Sequence, residues 1–216
     1  RKWWNENGIS LIAGLLGALI IVGGYRYWNE QQLATKAEAS AVYQQMMEAS
    51  ATKFGETISE EKLTEVQQHI FTLKNQYADT SYAQWAALFA AKYAMEAKDI
   101  ESAEAELRWL LAQGPADELE LIVKARLARI LAAKGNVEEG LALIKDVAAG
   151  EFSGVYAELK GDFLVKLQRP EEALTAYEQA ELAAGDEAIS PMLKMKLENL
   201  RRDESQIVPL DVSEQA

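Results

Sequence analysis

The sequence contains no cysteine, a single histidine and few basic residues. Without cysteine the chain forms no disulfide, thiolate nucleophile or zinc finger, and the lone His69 removes most metal sites and general-base pairs. Nucleic-acid binding needs clustered lysine and arginine, whereas here 22 Lys and Arg stand against 34 Asp and Glu, a net charge of −12. The composition therefore argues against an enzyme, a metal centre, any cofactor and a nucleic-acid partner.

An uncharged apolar run near the start is the clearest local signal. No Asp, Glu, Lys or Arg occurs between Asn7 and Tyr25. A helix of that length spans about 28 Å, close to the ~30 Å hydrocarbon core of a bilayer. We therefore predict a transmembrane helix in contact with lipid over residues 7–28, after a short cytoplasmic flank at 1–6. Aromatic residues typical of membrane interfaces flank it: Trp3, Trp4, Tyr25, Tyr27 and Trp28. A cleaved signal peptide is the alternative.

Charge and small residues suggest how this helix is used. Basic residues flank the run on both sides, but the residues after Trp28 hold all but one of the acidic residues. We expect a cytoplasmic N-terminus and a periplasmic domain. Small residues four apart allow a second membrane helix to approach closely, although glycine is also common in membrane helices generally. The candidate contacts are Ala13, Gly14, Gly17 and Ala18.

The rest of the chain has helical periodicity. No Gly or Pro occurs between Gly24 and Gly55, so the first helix is expected to continue beyond the membrane as a stalk. The next helix has an apolar stripe at steps of three and four, formed by Leu63, Val66, Ile70, Leu73 and Tyr77. His69 lies beside that stripe, with no cluster of other ligands to complete a site.

An internal repeat follows. Its template has a small residue, an apolar or small residue three later, a small residue twelve after the first, and an apolar residue four after that. Three segments match it: Ala91, Ala94, Ala103 and Leu107; Ala128, Leu131, Gly140 and Ile144; Gly161, Leu164, Ala173 and Tyr177. Successive matches are offset by 37 and 33 residues, which bracket the roughly 34-residue period of a tetratricopeptide repeat.

Turn signals fall between the two helices of each repeat. They are Lys98-Asp99, Gly135-Asn136 and Gln168-Arg169-Pro170. We expect Asn136 to cap its helix together with Glu139, and Pro170 to occupy a first helical turn. Ser190-Pro191 starts a last helix, through Leu193, Met195, Leu197 and Leu200, that would cover the apolar face of the last repeat.

These patterns predict an all-α chain. A single N-terminal transmembrane helix is followed by a tetratricopeptide-like helical-hairpin solenoid over residues 29–202, with a C-terminal capping helix; a plain helical bundle is the alternative. Residues 203–216 are acidic and without period, so we expect a mobile tail.

No catalytic constellation is present. The paired glutamates at 60–61, 138–139 and 171–172 are predicted at helix starts, where negative charge favours the positive end of the helix dipole. Trp85 and Trp109 are interpreted as core residues. A stacked array of helical hairpins offers a curved inner face to peptides or helices. Candidate contacts on the first helices of the repeats are Lys92, Glu96, Lys124, Arg129, Glu158 and Lys160.

Four segments, taken in order, resemble the YfgM-type ancillary subunits of the bacterial SecYEG translocon. They are Tyr25–Asn29 after the apolar run, Ala125–Arg129, Ala157–Asp162, and Pro191–Leu200 at the end. The resemblance implies a single-pass inner-membrane protein with a periplasmic tetratricopeptide-like domain. It also implies association with SecYEG and with a PpiD-like membrane-anchored periplasmic chaperone, and help in passing unfolded client proteins to periplasmic chaperones. It implies no catalytic residues, and a scaffold for another envelope assembly or secretion complex shares every physical feature.

Overall fold

The computed structural model describes residues 2–52, 57–185 and 189–207, with side chains described within 13–52, 57–185 and 189–202. This part of the chain contains no β-strand, which confirms the predicted all-α class. Its helices are α1 (Lys2–Ser50), α2 (Glu60–Gln76), α3 (Ser81–Glu96), α4 (Ile100–Ala112), α5 (Asp117–Ala133), α6 (Val137–Ile144), α7 (Ser153–Lys166), α8 (Pro170–Ala184) and α9 (Pro191–Ile207). The chain divides into two compact units, Arg1–Ala87 and Leu88–Ala216.

In the first unit, α1 and α2 pack against each other. The continuation of the first helix past the apolar run is confirmed, because α1 runs without interruption to Ser50. The predicted stripe on α2 is also confirmed: Val66, Ile70 and Leu73 are buried, and Leu63 and Tyr77 at its ends are half-buried. The Ser59 side chain accepts a hydrogen bond from the Lys62 backbone N–H and so caps the start of α2.

An aromatic cluster also lies in this unit. The ring centroids of Tyr43, Tyr82 and Trp85 are 5.5–5.7 Å apart, with Tyr82 and Trp85 nearly perpendicular. Trp85 nevertheless keeps 41% of its surface exposed, so its interpretation as a core residue is wrong. Its indole contacts the two tyrosine rings. Trp109, in the other unit, is half-buried.

The predicted membrane span over 7–28 is not confirmed. Where side chains are described, no helix combines the length and the hydropathy that a bilayer-crossing segment requires. Residues 7–12 of the predicted span lie outside that part, so the remaining uncharged run, 13–25, is shorter than the roughly 20 apolar residues of a span.

In the second unit the helices pack in chain order. α5 contacts α4 and α6, α7 contacts α6 and α8, and α9 contacts α8. The repeat template describes these contacts well. A β-carbon at Gly140 would lie 2.8 Å from the backbone oxygen of Ala128. α5 and α6 therefore approach each other so closely at these two template residues that a side chain at position 140 would collide with α5. All the template residues are buried except Ala94, which is half-buried.

The three predicted turns share one backbone geometry. Lys98, Gly135 and Gln168 have φ of 62°, 92° and 58°, in the left-handed region. The next residue in each turn donates its N–H to a carbonyl five residues back: Asp99 to Ala94 (2.8 Å), Asn136 to Leu131 (2.9 Å) and Arg169 to Leu164 (2.9 Å). This is the Schellman pattern that ends a helix. The left-handed residues recur at the same 37- and 33-residue offsets as the template.

Lys98→Gly and Gln168→Gly should each stabilise the fold by about 0.5–1 kcal/mol, because glycine adopts the left-handed conformation without the steric penalty of a β-carbon. Urea unfolding followed by circular dichroism measures this. Lys145→Gly is the matched control, since Lys145 has φ −63° at the end of α6, and there the substitution should cost a similar amount. Equal losses for Lys98→Gly and Lys145→Gly would contradict the left-handed turn at Lys98.

Two details of the predicted helix ends are wrong. Asn136 is at the N-cap of α6, but its side chain makes no capping hydrogen bond, and Glu139 instead accepts from Arg108 of α4. In α9, Leu193 and Leu197 are buried and Leu200 is half-buried, whereas Met195 is 49% exposed. At 3.6 residues per turn Met195 falls on the opposite face. Pro170 at the first position of α8, and the Ser190 cap that accepts from Leu193 N–H at 3.0 Å, are confirmed.

The predicted tail, 203–216, lies outside the residues whose side chains are described. The backbone of α9 extends into it as far as Ile207.

Candidate interaction groove

A groove of about 620 Å³ lies between α3 and α5, the first helices of two successive repeats. Its apolar lining consists of Leu88, Phe89, Ala91, Met95, Leu107 and Ile130. Ala91, Leu107 and Ile130 are buried and form the base, whereas Met95 is 43% exposed. The volume falls within the ~300–1,000 Å³ range typical of ligand sites.

Charged side chains surround this apolar base. Lys92 and Glu96 from α3 and Arg126 and Arg129 from α5 also line the groove, and all four are exposed. Lys92 Nζ lies 3.7 Å from Glu96 Oε1, one helical turn away. Arg126 and Arg129 are three residues apart, so both point from the same face of α5. The arrangement combines apolar burial with a positively charged edge.

An ion-pair network links the end of α5 to α4, and α4 to α6. Lys134, at the end of α5, donates to Glu101 (2.7 Å) and Glu104 (2.6 Å) of α4. Arg108 bonds both Glu104 and Glu139, at 2.7 Å each, and so links α4 to α6. Hydrogen bonds from Lys134 and then from Arg108 lower the pKa of Glu104, which remains ionised at neutral pH.

The neighbouring α7 is tied to α5 by Tyr156. Its hydroxyl donates to the backbone oxygen of Leu121 at 2.7 Å, and burial raises its pKa to about 12. A second, smaller groove lies between these helices, with Arg129 in its lining together with Leu159, Phe163 and Tyr177. Arg129 therefore borders both grooves.

The predicted contact residues on the repeats divide into two sets. Lys92, Glu96 and Arg129 are brought together at the larger groove. Lys124 pairs with Glu120 of its own helix, Glu158 accepts from Lys196 Nζ of α9 at 2.8 Å, and Lys160 lies half-buried on α7. None of these three lines either groove described above.

Sequence reasoning missed Arg126 and the apolar base. Arg126 could have been found from Arg129, because residues three apart share a helix face. No comparable pattern identifies Leu88, Phe89 and Met95, because an apolar residue on a repeat helix is expected equally in the buried core and in a groove.

The small residues of α1 are open. A β-carbon at Gly14 or Gly17 would meet no atom within 4 Å, and Ala13 and Ala18 are exposed. Large apolar side chains on the same helix are exposed as well, including Ile20 (74%) and Ile21 (73%).

The polar lining of the groove is limited in kind. It contains no Ser, Thr, Cys or His side chain, and a single carboxylate. Across the described part of the chain, no three His, Asp or Glu side chains are grouped closely enough to hold a metal ion.

Comparison with known proteins gives a consistent result. A family model described as a tetratricopeptide repeat-like domain matches residues 1–202. The chain is 31% identical over 200 residues to a Haemophilus influenzae protein, with 93% of each chain covered. It is 30% identical to one from Aggregatibacter actinomycetemcomitans, again with 93% of each covered, and 27% identical to one from Escherichia coli K12, with 93% and 92% covered. All three are named ancillary SecYEG translocon subunit. No solved structure matches significantly.

Proposed function

Because the chain belongs to the tetratricopeptide repeat-like family of ancillary SecYEG translocon subunits, we propose that it is a non-catalytic, membrane-anchored interaction module of the translocon. The observation that carries the proposal is the groove between α3 and α5, in which an apolar base and an exposed charged edge face outward from adjacent repeats. Such a surface binds another polypeptide and catalyses nothing.

The anchor in this proposal is the apolar segment at residues 7–28. Its support is that large apolar side chains are exposed around the whole circumference of α1: Leu15, Leu16, Leu19, Ile20, Ile21 and Val22. Side chains of this kind favour bilayer insertion by about 0.3–0.6 kcal/mol each. The N-terminus lies in the cytoplasm and residues 29–202 lie in the periplasm. The support is that the residues after the segment are poor in the basic side chains that hold a segment in the cytoplasm. The open Ala13, Gly14, Gly17 and Ala18 contact a membrane helix of a partner.

The domain docks a PpiD-like membrane-anchored periplasmic chaperone and helps to pass translocated proteins to the periplasmic chaperones. The support for chaperone docking is the resemblance stated above, together with an exposed groove on the repeats. The names of the relatives support the association with SecYEG. Lys92, Glu96 and Arg129 lie at that groove. Lys124 on α5, and Glu158 and Lys160 on α7, are secondary contacts outside its lining.

Site-specific photocrosslinking in native membranes tests this function. A photoreactive residue at Gly14 or Ala18 should crosslink to a membrane helix of the translocon or of the chaperone, and one at Lys92 should crosslink to a periplasmic chaperone. Lys124, on α5 outside the groove lining, is a second probe of the repeats and should give the same product. Lys145, at the C-cap of α6, is the control that should give no such product. Crosslinks to an unrelated envelope complex would refute the translocon role and support the scaffold alternative.

A further inference from the structure

The two arginines of the groove differ from the other arginines of their unit. Arg108 pairs with Glu104 and Glu139, Arg169 pairs with Glu172, and Arg201 pairs with Glu178 and Glu181. Arg126 and Arg129 form no ion pair or hydrogen bond with any residue that the structure describes, and both line the same groove. In a chain with 34 acidic residues, intramolecular partners are plentiful.

The charges on the groove do not cancel. Lys92 and Glu96 are close enough to neutralise each other, which leaves the two guanidinium groups as a net positive edge. The chain as a whole is negative, with a net charge of −12. A basic ligand is therefore attracted to the molecule in general and repelled at this groove, whereas an acidic ligand is attracted locally at the groove.

The base of the groove selects for apolar side chains. Met95 presents an exposed thioether beside Phe89 and Leu88, and a methionine adapts its shape to different apolar groups. Guanidinium groups bind carboxylates with two parallel hydrogen bonds, so a ligand that places a carboxylate beside its apolar anchor satisfies both parts of the site.

We propose that the groove between α3 and α5 binds a peptide segment of a partner protein in which apolar side chains are flanked by carboxylates. This inference rests on one part of the proposed function, namely that the groove binds a partner protein. The occupant is a separate polypeptide, and Arg126 and Arg129 determine the sign of the charge that it must carry.

The test uses the full chain in an uncharged detergent, with empty micelles as the blank. The probe is a fluorescently labelled peptide of leucine and glutamate at helical spacing, compared with a twin in which lysine replaces each glutamate. Fluorescence anisotropy should show tighter binding of the glutamate peptide, and added salt should weaken that binding because it screens the exposed charges.

Arg126→Glu combined with Arg129→Glu should weaken binding of the glutamate peptide about tenfold or more and reverse its salt dependence, because added salt then screens repulsion and no longer weakens the binding. Both side chains are exposed, so the fold should tolerate the change, and circular dichroism verifies this. Met95→Asn should weaken both peptides by reducing apolar contact. Lys145→Glu, an exposed charge reversal on α6, is the matched control and should leave the affinity within about twofold.

Three results would overturn the inference. One is equal or tighter binding of the lysine peptide by the unaltered chain. Another is a gain in affinity when the chain is ended after Arg202, which would identify its own acidic tail as the occupant. The third is a dimer in light scattering that Arg126→Glu dissociates, which would identify a second copy. Loss of translocon crosslinks from Gly14 and Ala18 with peptide binding intact would refute the proposed function and leave this inference standing.

Discussion

Gly161→Ala should destabilise the second unit by about 3 kcal/mol, because a β-carbon at this position overlaps the ring of Tyr177. The added carbon would lie well inside the van der Waals contact distance of ring carbons Cδ1 and Cε1. Tyr177 cannot simply turn away, since its hydroxyl donates to Asp162 Oδ1 at 2.8 Å and its ring is buried between α7 and α8. Burial, together with the bond to Asp162, raises the pKa of Tyr177, so the phenol stays protonated and keeps this bond at neutral pH.

Gly154→Ala is the matched control on the same helix. A β-carbon at Gly154 would lie 3.5 Å from the β-carbon of Ala183, an ordinary contact, and alanine has the higher helix propensity. We expect no loss, and a gain of up to about 0.5 kcal/mol. Urea unfolding of the full chain, followed by circular dichroism, compares the two variants. Equal stabilities would show that α7 and α8 are not in close contact at Gly161.

A double variant tests the cause directly. If the ring of Tyr177 is the obstacle, Tyr177→Leu should cost less stability in the Gly161→Ala background than in the unaltered chain. The coupling free energy between the two positions should be about 1 kcal/mol or more, because they are in direct contact. Additive losses would mean that the penalty at Gly161 arises elsewhere.

Leu131→Ala should cost about 3 kcal/mol, since it removes a buried side chain of the repeat template and leaves a cavity within the stacked helices. Leu131 is only 1% exposed, and its backbone oxygen also accepts the Asn136 N–H that ends α5. Because α5 forms one wall of the groove, we expect the variant to bind the glutamate peptide less tightly as well as to unfold at lower urea.

The matched control is Leu182→Ala on α8. Leu182 is 82% exposed, so the same chemical change removes almost no packing and should alter stability by less than about 0.5 kcal/mol. The urea concentrations at the midpoints of unfolding of the two variants measure this difference in stability. A loss at Leu182 as large as that at Leu131 would contradict the assignment of the buried core to the template positions.

Local features of the fold were largely predictable. The stripe on α2, the three turns and Pro170 at the start of α8 follow from the spacing of apolar residues and from the backbone preferences of single residues. The capping pair of Asn136 and Glu139 was wrong because Arg108, 31 residues earlier, binds Glu139 instead. Met195 was wrongly grouped with the apolar face because it is two residues, about 200° of helical rotation, from both Leu193 and Leu197.

The site was predictable only in part. That the first helices of the repeats carry the exposed inner face follows from the repeat, and Lys92, Glu96 and Arg129 were found by that reasoning. Glu158 was chosen by the same rule, yet the structure pairs it with Lys196. Glu96 and Glu158 cannot be distinguished from the sequence. The position of a glutamate on an exposed helix face does not reveal which basic side chain from a remote part of the chain lies beside it.

The helices and their turns were predictable from the spacing of residues, because they depend on interactions between residues a few positions apart. Which charges are neutralised and which stay unpaired follows from the packing of the helices. Lys196 reaches Glu158 across 38 positions, and Lys134 reaches Glu101 across 33, whereas Arg126 and Arg129 reach no carboxylate in the described part of the chain. An ion pair forms only within about 4 Å, and such distances between remote side chains are set by the packing of the helices.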